Sequence, residues 1–308
     1  GHSTARPTHN GKMSALIAPN QPITRTVRCI TPSGTHRLAY HQWGDSANPR
    51  VLVCVHGLTR SGRDFDRLAR ALARRYRVVC PDIPGRGASD WLKNPLEYQV
   101  PIYVADMITL LARLDVETVD WVGTSMGGLI GMAIAALPDA PIGRLVLNDV
   151  GPLVTATSLN RIGRYVGIAP PLPTLAAAVQ FVRTVAAPFG PHTDDEWRIL
   201  TEVVVRRNED GSYRLHYDPA IAVPFNAQLP HQDIVLWPMY DQIRCPTLVT
   251  RGATSDLLTH ETAIEMTRRG PRAQLVEFAG VGHAPTLMHD DQIAVVERFL
   301  AAQGGSQA

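Results

Sequence analysis

From about residue 51 onward, short apolar runs alternate with amphipathic stretches. Apolar-rich runs at residues 51–55, 77–80, 118–122 and 143–148 are typical of strands in a parallel sheet that is buried on both faces. Residues 64–75 and 100–114 repeat apolar side chains every three or four positions, which predicts helices. Residues 24–30 and 37–43 alternate instead, which predicts an antiparallel pair of strands. The pattern predicts an α/β fold with a doubly wound, mostly parallel sheet.

The alternation breaks over residues 151–238, where no strong strand run occurs and residues 175–185 and 194–206 are predicted helices. It resumes with strands at 246–252 and 273–278 and helices at 259–269 and 290–302. A segment of this length is too long for an ordinary loop. We therefore predict a mobile leader at 1–22, a core formed by 23–150 and 239–303, and a mainly helical insertion at 151–238, after the sixth sheet strand.

Composition narrows the functional classes. The 308 residues are 45% hydrophobic, and the formal net charge is only +2. No basic stripe indicates a nucleic-acid partner, and no apolar run has the length of a membrane span. The four cysteines form no C-x-x-C pair and the eleven histidines show no metal-ligand spacing, so we expect a cytoplasmic protein with neither metal nor cofactor.

The predicted strand 118–122 runs into Gly123-Thr124-Ser125-Met126-Gly127, and an apolar helix follows. This is the G-x-S-x-G pattern of a nucleophile elbow. A strand that turns at once into a helix strains its central residue and leaves no room for neighbouring Cβ atoms, which glycine lacks. The pattern predicts that Ser125 is a nucleophile; the alternative is a glycine-rich turn needed only for packing.

A serine hydroxyl needs a base to take its proton. His283 follows the last predicted strand and so lies at the carboxyl end of the sheet, where open α/β folds place their sites. His260 and His289 are at helix starts, and His56 is better placed beside an oxyanion loop. We predict His283 as the base.

The group that orients this histidine should be a carboxylate beyond another strand. Asp256 and Asp149 both meet this condition. Loop placement favours Asp256, since Asp149 can be explained as a turn residue before Gly151-Pro152. Donors for a developing oxyanion are expected from the backbone amides of Leu58 and Met126.

Taken together, these motifs resemble the α/β-hydrolase superfamily across residues 24–302. The residues that carry the resemblance are His56-Gly57, Asp82-x-x-Gly85-x-Gly87-x-Ser89, Gly123-x-Ser125-x-Gly127-Gly128, Asp256 and Gly282-His283. In that family an insertion after the sixth sheet strand is a helical cap over the pocket. The resemblance implies a cofactor-free enzyme that acts on a small molecule through a Ser125, Asp256 and His283 triad.

The substrate is less constrained, because this fold hosts many chemistries. Ser125 excludes the family members that use an aspartate nucleophile, namely dehalogenases and epoxide hydrolases. The elbow is similar to that of the meta-cleavage carbon–carbon hydrolases, but Thr124 and Ala284 stand where those enzymes usually carry Asn and Trp. The leading hypothesis is hydrolysis of a carboxylic ester or lactone; the alternatives are a carbon–carbon hydrolase and a non-enzymatic ligand receptor.

Overall fold

An eight-stranded sheet is the centre of residues 21–302, the part of the chain that the computed structural model describes. Its strands are β1 (Ile23–Thr31), β2 (Gly34–Trp43), β3 (Val51–Val55), β4 (Arg77–Pro81), β5 (Val119–Thr124), β6 (Ile142–Asn148), β11 (Thr247–Gly252) and β12 (Gln274–Phe278). The leader predicted at 1–22 lies outside the described residues, except for its last two.

The order of the strands is β1-β2-β4-β3-β5-β6-β11-β12. Strands β1 and β2 pair antiparallel, as predicted, and β2 also meets β4 antiparallel. All other neighbours in this sheet are parallel. The sheet is therefore mostly parallel, and the loops that follow β3, β5, β6, β11 and β12 gather at one edge.

Helices cover both faces of the sheet. Within the described residues they are α1 (Asp66–Leu72), α2 (Val100–Leu114), α3 (Met126–Ala135), α4 (Ala156–Gly163), α5 (Leu175–Val185), α6 (Asp194–Glu202), α7 (Ala222–Asn226), α8 (Trp237–Tyr240), α9 (His260–Met266) and α10 (Asp290–Ala301). No helix in this part of the chain combines the length and the apolar character that a membrane crossing requires.

Alternate residues of the buried strands divide the core into two layers. In β3, Val53 belongs to the layer under α2 and α3, whereas Leu52 belongs to the layer under α1 and α10. In β5, Trp121 and Val122 divide in the same way. Because successive side chains of a strand point to opposite faces, the continuous apolar runs of the sequence serve both layers at once.

Residues 151–238, the inserted segment, lie between β6 and β11 in the chain. They hold α4 to α8 and four short strands: β7 (Leu153–Val154), β8 (Val205–Arg207), β9 (Tyr213–Leu215) and β10 (Ile234–Val235). Of these, the sequence pattern indicates only an extended stretch at 213–217, which overlaps β9. Strands β8 and β9 form a hairpin, so the helix predicted at 194–206 ends earlier, at Glu202. Strands β7 and β10 pair antiparallel and join the two ends of the segment.

Gly127, in the first turn of α3, packs against the end of β3. A Cβ atom at this position would overlap the Val55 carbonyl oxygen and come within 2.9 Å of the His56 carbonyl oxygen. Both atoms belong to the backbone and cannot rotate away. Glycine at this position therefore lets the helix that follows Ser125 lie directly against the loop that follows β3.

Replacing Gly127 with alanine should lower the free energy of unfolding by about 1–3 kcal/mol, even though alanine is the better helix former. Denaturant unfolding followed by circular dichroism measures the difference. Gly57→Ala is the matched control, because its Cβ would meet nothing closer than Ser125 Cβ at 3.7 Å. Equal stability of the two variants would contradict the steric explanation.

Candidate active site

Ser125 is the single residue between β5 and α3. Its φ of 52° and ψ of −116° are strained for a residue with a side chain. A Cβ atom on Gly123 would overlap the Gly127 carbonyl group, so the turn can close only with glycine at position 123. The Ser125 amide donates to the Asn148 carbonyl at 3.0 Å, which ties the turn to β6. The turn therefore places the Ser125 hydroxyl at the carboxyl edge of the sheet.

His283 lies in the loop after β12 and contacts Ser125 as expected. Its Nε2 is 3.0 Å from Ser125 Oγ, and its Nδ1 is 2.6 Å from Asp149 Oδ2. An ionised carboxylate can only accept, so Nδ1 carries the proton and Nε2 accepts from the serine hydroxyl. This is the arrangement that a general base needs to take a proton from a nucleophile.

The Asp149 side chain is fully buried and makes three hydrogen bonds. Besides the His283 ring, its carboxylate accepts from the Gly252 amide at 2.8 Å and from the Ser255 hydroxyl at 2.6 Å. The Gly252 amide is at the end of β11, Ser255 is in the loop that follows it, and His283 is in the loop after β12. The carboxylate that orients His283 therefore belongs to Asp149, the residue directly after β6.

The expectation that Asp256 orients His283 is not met by this geometry. The Asp256 carboxylate instead pairs with Arg161 of the inserted segment, at 2.6 Å to Nε and 2.8 Å to Nη2. In the loop after β11 it is Ser255 that faces the site, where its hydroxyl also accepts from the amides of Leu257 and Leu258. Asp256, one position later, faces away from His283 toward α4.

The rival histidines are engaged elsewhere. His289 Nε2 is 3.1 Å from Glu196 Oε2, and His260 Nδ1 is 2.5 Å from Glu277 Oε1. Neither lines a cavity at Ser125.

His56 lies at the end of β3, in the loop that carries Leu58. Its Nδ1 donates to the Gly57 carbonyl at 2.7 Å, and its Nε2 accepts from the Ile83 amide at 3.0 Å. Complete burial lowers the pKa of His56 to about 4, so the ring is neutral at pH 7 and keeps both hydrogen bonds. The ring thereby fixes the loop next to Ser125.

The amides expected to receive the oxyanion belong to Met126, which follows the serine in the chain, and to Leu58, whose loop approaches the serine at Gly57. Both residues line the larger of two cavities that reach Ser125. Within residues 21–302, no protein acceptor takes up either N–H. The amide of Met126 is also at the first position of α3, where the helix dipole favours negative charge. Both amides are therefore available to a ligand.

The side chain of Arg86 contacts both Leu58 and Met126. The sequence analysis did not single out this residue. It is fully buried, and its Nε donates to the Leu58 carbonyl at 2.7 Å while its Nη2 lies 3.5 Å from Met126 Sδ. A third nitrogen, Nη1, donates to the Pro84 carbonyl and to the Tyr103 hydroxyl. The available signal was its position between Gly85 and Gly87, inside one of the motifs that carry the family resemblance.

Two cavities meet at Ser125. The larger, of about 300 Å³, is lined by residues such as Tyr98, Leu129, Val150, Leu159 and Phe225. The smaller, of about 120 Å³, is lined by residues that include Arg60, Arg161, Tyr165, Phe181 and His283. Both combine side chains of the core with side chains of the inserted segment.

One group in the described residues has the make-up of metal ligands: Cys29, His36 and Asp106, all buried. His36 Nε2 lies 2.6 Å from Asp106 Oδ2, a hydrogen-bonded pair that accounts for the contact. Burial and the nearby Asp106 raise the pKa of the Cys29 thiol to about 12, so the thiol is protonated at pH 7 in this arrangement. None of the three lines either cavity at Ser125.

Comparison with known proteins agrees with this fold. Residues 52–298 match the family model described as the alpha/beta hydrolase family. The chain is 51% identical over 281 residues to a 3-hydroxybutyrate-oligomer hydrolase of Cupriavidus necator, covering 89% of this chain and 96% of the relative. Esterase YbfF of Escherichia coli is 25% identical over 237 residues, covering 77% of this chain and 87% of the relative.

Among solved structures, an alpha/beta hydrolase from Novosphingobium aromaticivorans superposes with a TM-score of 0.81 at 38% identity, covering 90% of this chain and 98% of that one. The protein therefore belongs to the α/β-hydrolase family, and it is an enzyme of that family.

Exchanging the two candidate acids for asparagine should separate them. Asp149→Asn should lower turnover of a neutral nitrophenyl ester by about a thousand- to ten-thousandfold, because the amide presents the wrong partner to His283 Nδ1. Asp256→Asn removes only a partly exposed ion pair and should cost less than about tenfold. Steady-state kinetics with the fold checked by circular dichroism decides, and the reverse ranking would return the acid to Asp256.

Proposed function

We propose that this enzyme is a serine hydrolase that cleaves a carboxylic ester through an acyl-enzyme, with Ser125 as nucleophile, His283 as base and Asp149 as the orienting acid. The observation that carries the proposal is the continuous hydrogen-bonded chain from Ser125 through His283 to Asp149. A strained turn holds the first residue of this chain, and hydrogen bonds from the end of β11 and from the loop after it hold the last.

In the first half of the reaction, Ser125 Oγ attacks the ester carbonyl while its proton passes to His283 Nε2. Asp149 holds the ring in the tautomer that can accept this proton and stabilises the imidazolium that forms. His283 then gives the proton to the leaving alcohol, and the acyl group remains on Ser125. In the second half, water attacks the acyl-enzyme with His283 again as base, and the acid leaves.

Negative charge develops on the carbonyl oxygen in both halves. The amides of Leu58 and Met126 are the donors that we assign to it, since both flank Ser125 and neither has a protein acceptor in the described residues. The buried guanidinium of Arg86 holds the Leu58 carbonyl and adds positive charge behind this pair. Its role is that of a positioning residue.

For the substrate we propose a short oligomeric ester of a hydroxy acid, of the 3-hydroxybutyrate type. The relative with 51% identity bears the name 3-hydroxybutyrate-oligomer hydrolase, and the match covers 96% of its length. Two cavities on either side of Ser125 suit a chain that continues in both directions from the scissile ester. The inserted segment lines both, and we propose that it acts as the cap that selects this chain.

A carbon–carbon hydrolase has less support at this site. It must first protonate a dienolate carbon, which demands polar groups around a conjugated acidic substrate. The hydroxyl of Thr124 accepts a hydrogen bond from the side-chain amide of Asn148, with Nδ2 at 3.0 Å. Ala284 offers no ring to pack on such a substrate. Ester hydrolysis needs only the acyl pocket, the base and the oxyanion donors.

Purified enzyme should hydrolyse 3-hydroxybutyrate dimer and trimer with a higher kcat/KM than any vinylogous 1,5-diketone acid. Ser125→Ala should reduce this activity by more than about a thousandfold. The exposed Ser46→Ala is the matched control and should retain it. Preference for the diketone acid by more than about tenfold, about 1.4 kcal/mol of transition-state stabilisation, would overturn the ester proposal.

A further inference from the structure

The two cavities at Ser125 differ in charge. Among the described residues that line the larger cavity there is no Arg, Lys, Asp or Glu. The smaller cavity is lined by Arg60 and Arg161, and no acidic residue is part of its lining. A substrate that lies across Ser125 therefore meets a neutral environment on one side and guanidinium groups on the other.

The position of His283 assigns the two sides. The imidazole lines the smaller cavity and not the larger one. Because this ring must hand its proton to the leaving oxygen, the leaving alcohol has to lie on the histidine side. The acyl part of the substrate then extends into the larger cavity, beside Met126.

In an oligomer of 3-hydroxybutyrate, the unit at one end carries a free carboxylate. When the ester next to that end is cleaved, this unit is the leaving alcohol, and a single methylene carbon separates its hydroxyl-bearing carbon from its carboxylate carbon. Its negative charge therefore stays close to the scissile bond. The smaller cavity has less than half the volume of the larger one, about 120 against 300 Å³, which suits a single unit opposite a longer chain.

Of the two arginines, Arg60 already has contacts within the protein that account for its position. Its guanidinium donates to both oxygens of Asp64 and to the Leu200 carbonyl, and it lies 5.8 Å from the centre of the Phe189 ring. Arg161 has Asp256 as its hydrogen-bonded partner through Nε and Nη2. The side chain of Tyr165, which also lines the smaller cavity, is a further polar neighbour of this guanidinium, while the fork with Asp256 holds the Arg161 side chain in place.

We infer that the smaller cavity binds the carboxyl-terminal unit of the oligomer, with its free carboxylate at Arg161, so that each turnover releases one monomer from that end. This inference rests on the proposed function. In each turnover the Ser125 Oγ–carbon bond forms as the ester carbon–oxygen bond breaks. The serine proton passes through His283 to the hydroxyl of the departing monomer, and water then releases the shortened chain.

The test compares the trimer as free acid with the same trimer as methyl ester, in the wild type and in three variants. The wild type should favour the free acid in kcat/KM. In Arg161→Gln the ratio of free acid to methyl ester should fall about ten- to a hundredfold, mainly through a higher KM for the acid, because a charge-assisted hydrogen bond is lost. Arg161→Lys should give an intermediate ratio, and thermal unfolding confirms that the variants are folded.

Arg164→Gln is the matched control, since Arg164 is exposed at the end of the same helix and lines neither cavity. Its ratio should equal that of the wild type. A ratio that does not change in Arg161→Gln while both trimers are hydrolysed would overturn the inference and leave the proposed function standing. If neither trimer is hydrolysed by an enzyme that turns over a nitrophenyl ester, the proposed substrate class is wrong, and the inference fails with it.

A tetramer with an isotope-labelled carboxyl-terminal unit tests the direction of cleavage. Mass spectrometry of the first products should show labelled monomer and unlabelled trimer. Unlabelled monomer, or two dimers, as the first products would contradict binding of the terminal carboxylate at Arg161.

Discussion

The geometry of the site depends on the buried carboxylate of Asp149. A charge with no access to solvent must be fully hydrogen-bonded, and Asp149 meets this condition with the Gly252 amide, the Ser255 hydroxyl and the His283 ring. The donors come from the end of β11, the loop after it and the loop after β12, whereas Asp149 follows β6. One side chain thus joins three adjacent loops and sets the position of the histidine relative to Ser125.

The second constraint is steric and depends on two glycines, which carry no side chain. Gly123 and Gly127 let the end of β5, the start of α3 and the end of β3 come closer than any Cβ atom would allow. This contact places Met126 and Leu58 around Ser125, and Arg86 fixes both from beneath. The same two glycines therefore allow both the close packing of these elements and the position of the two amides at the site.

The sequence predicted the parallel sheet, the turn at Ser125 and the contact with His283, because each depends on a local pattern or on the order of strands. On loop placement it favoured Asp256 over Asp149, although both follow a strand at the same edge. The spacing of residues in the sequence does not show that the Ser255 side chain contacts Asp149 whereas the Asp256 side chain contacts Arg161. The short strands of the inserted segment other than β9 were missed because two or three residues carry no periodicity. What Arg86 contacts becomes visible only in three dimensions.

The crystal structure of the enzyme after reaction with an alkyl phosphonate ester would test the central claim most directly, because the adduct resembles the tetrahedral intermediate. The account predicts phosphorus bonded to Ser125 Oγ, with one phosphonyl oxygen within hydrogen-bond distance of the Leu58 and Met126 amides. His283 should bridge the adduct and Asp149. An adduct on another residue, or His283 paired with Asp256, would contradict the account.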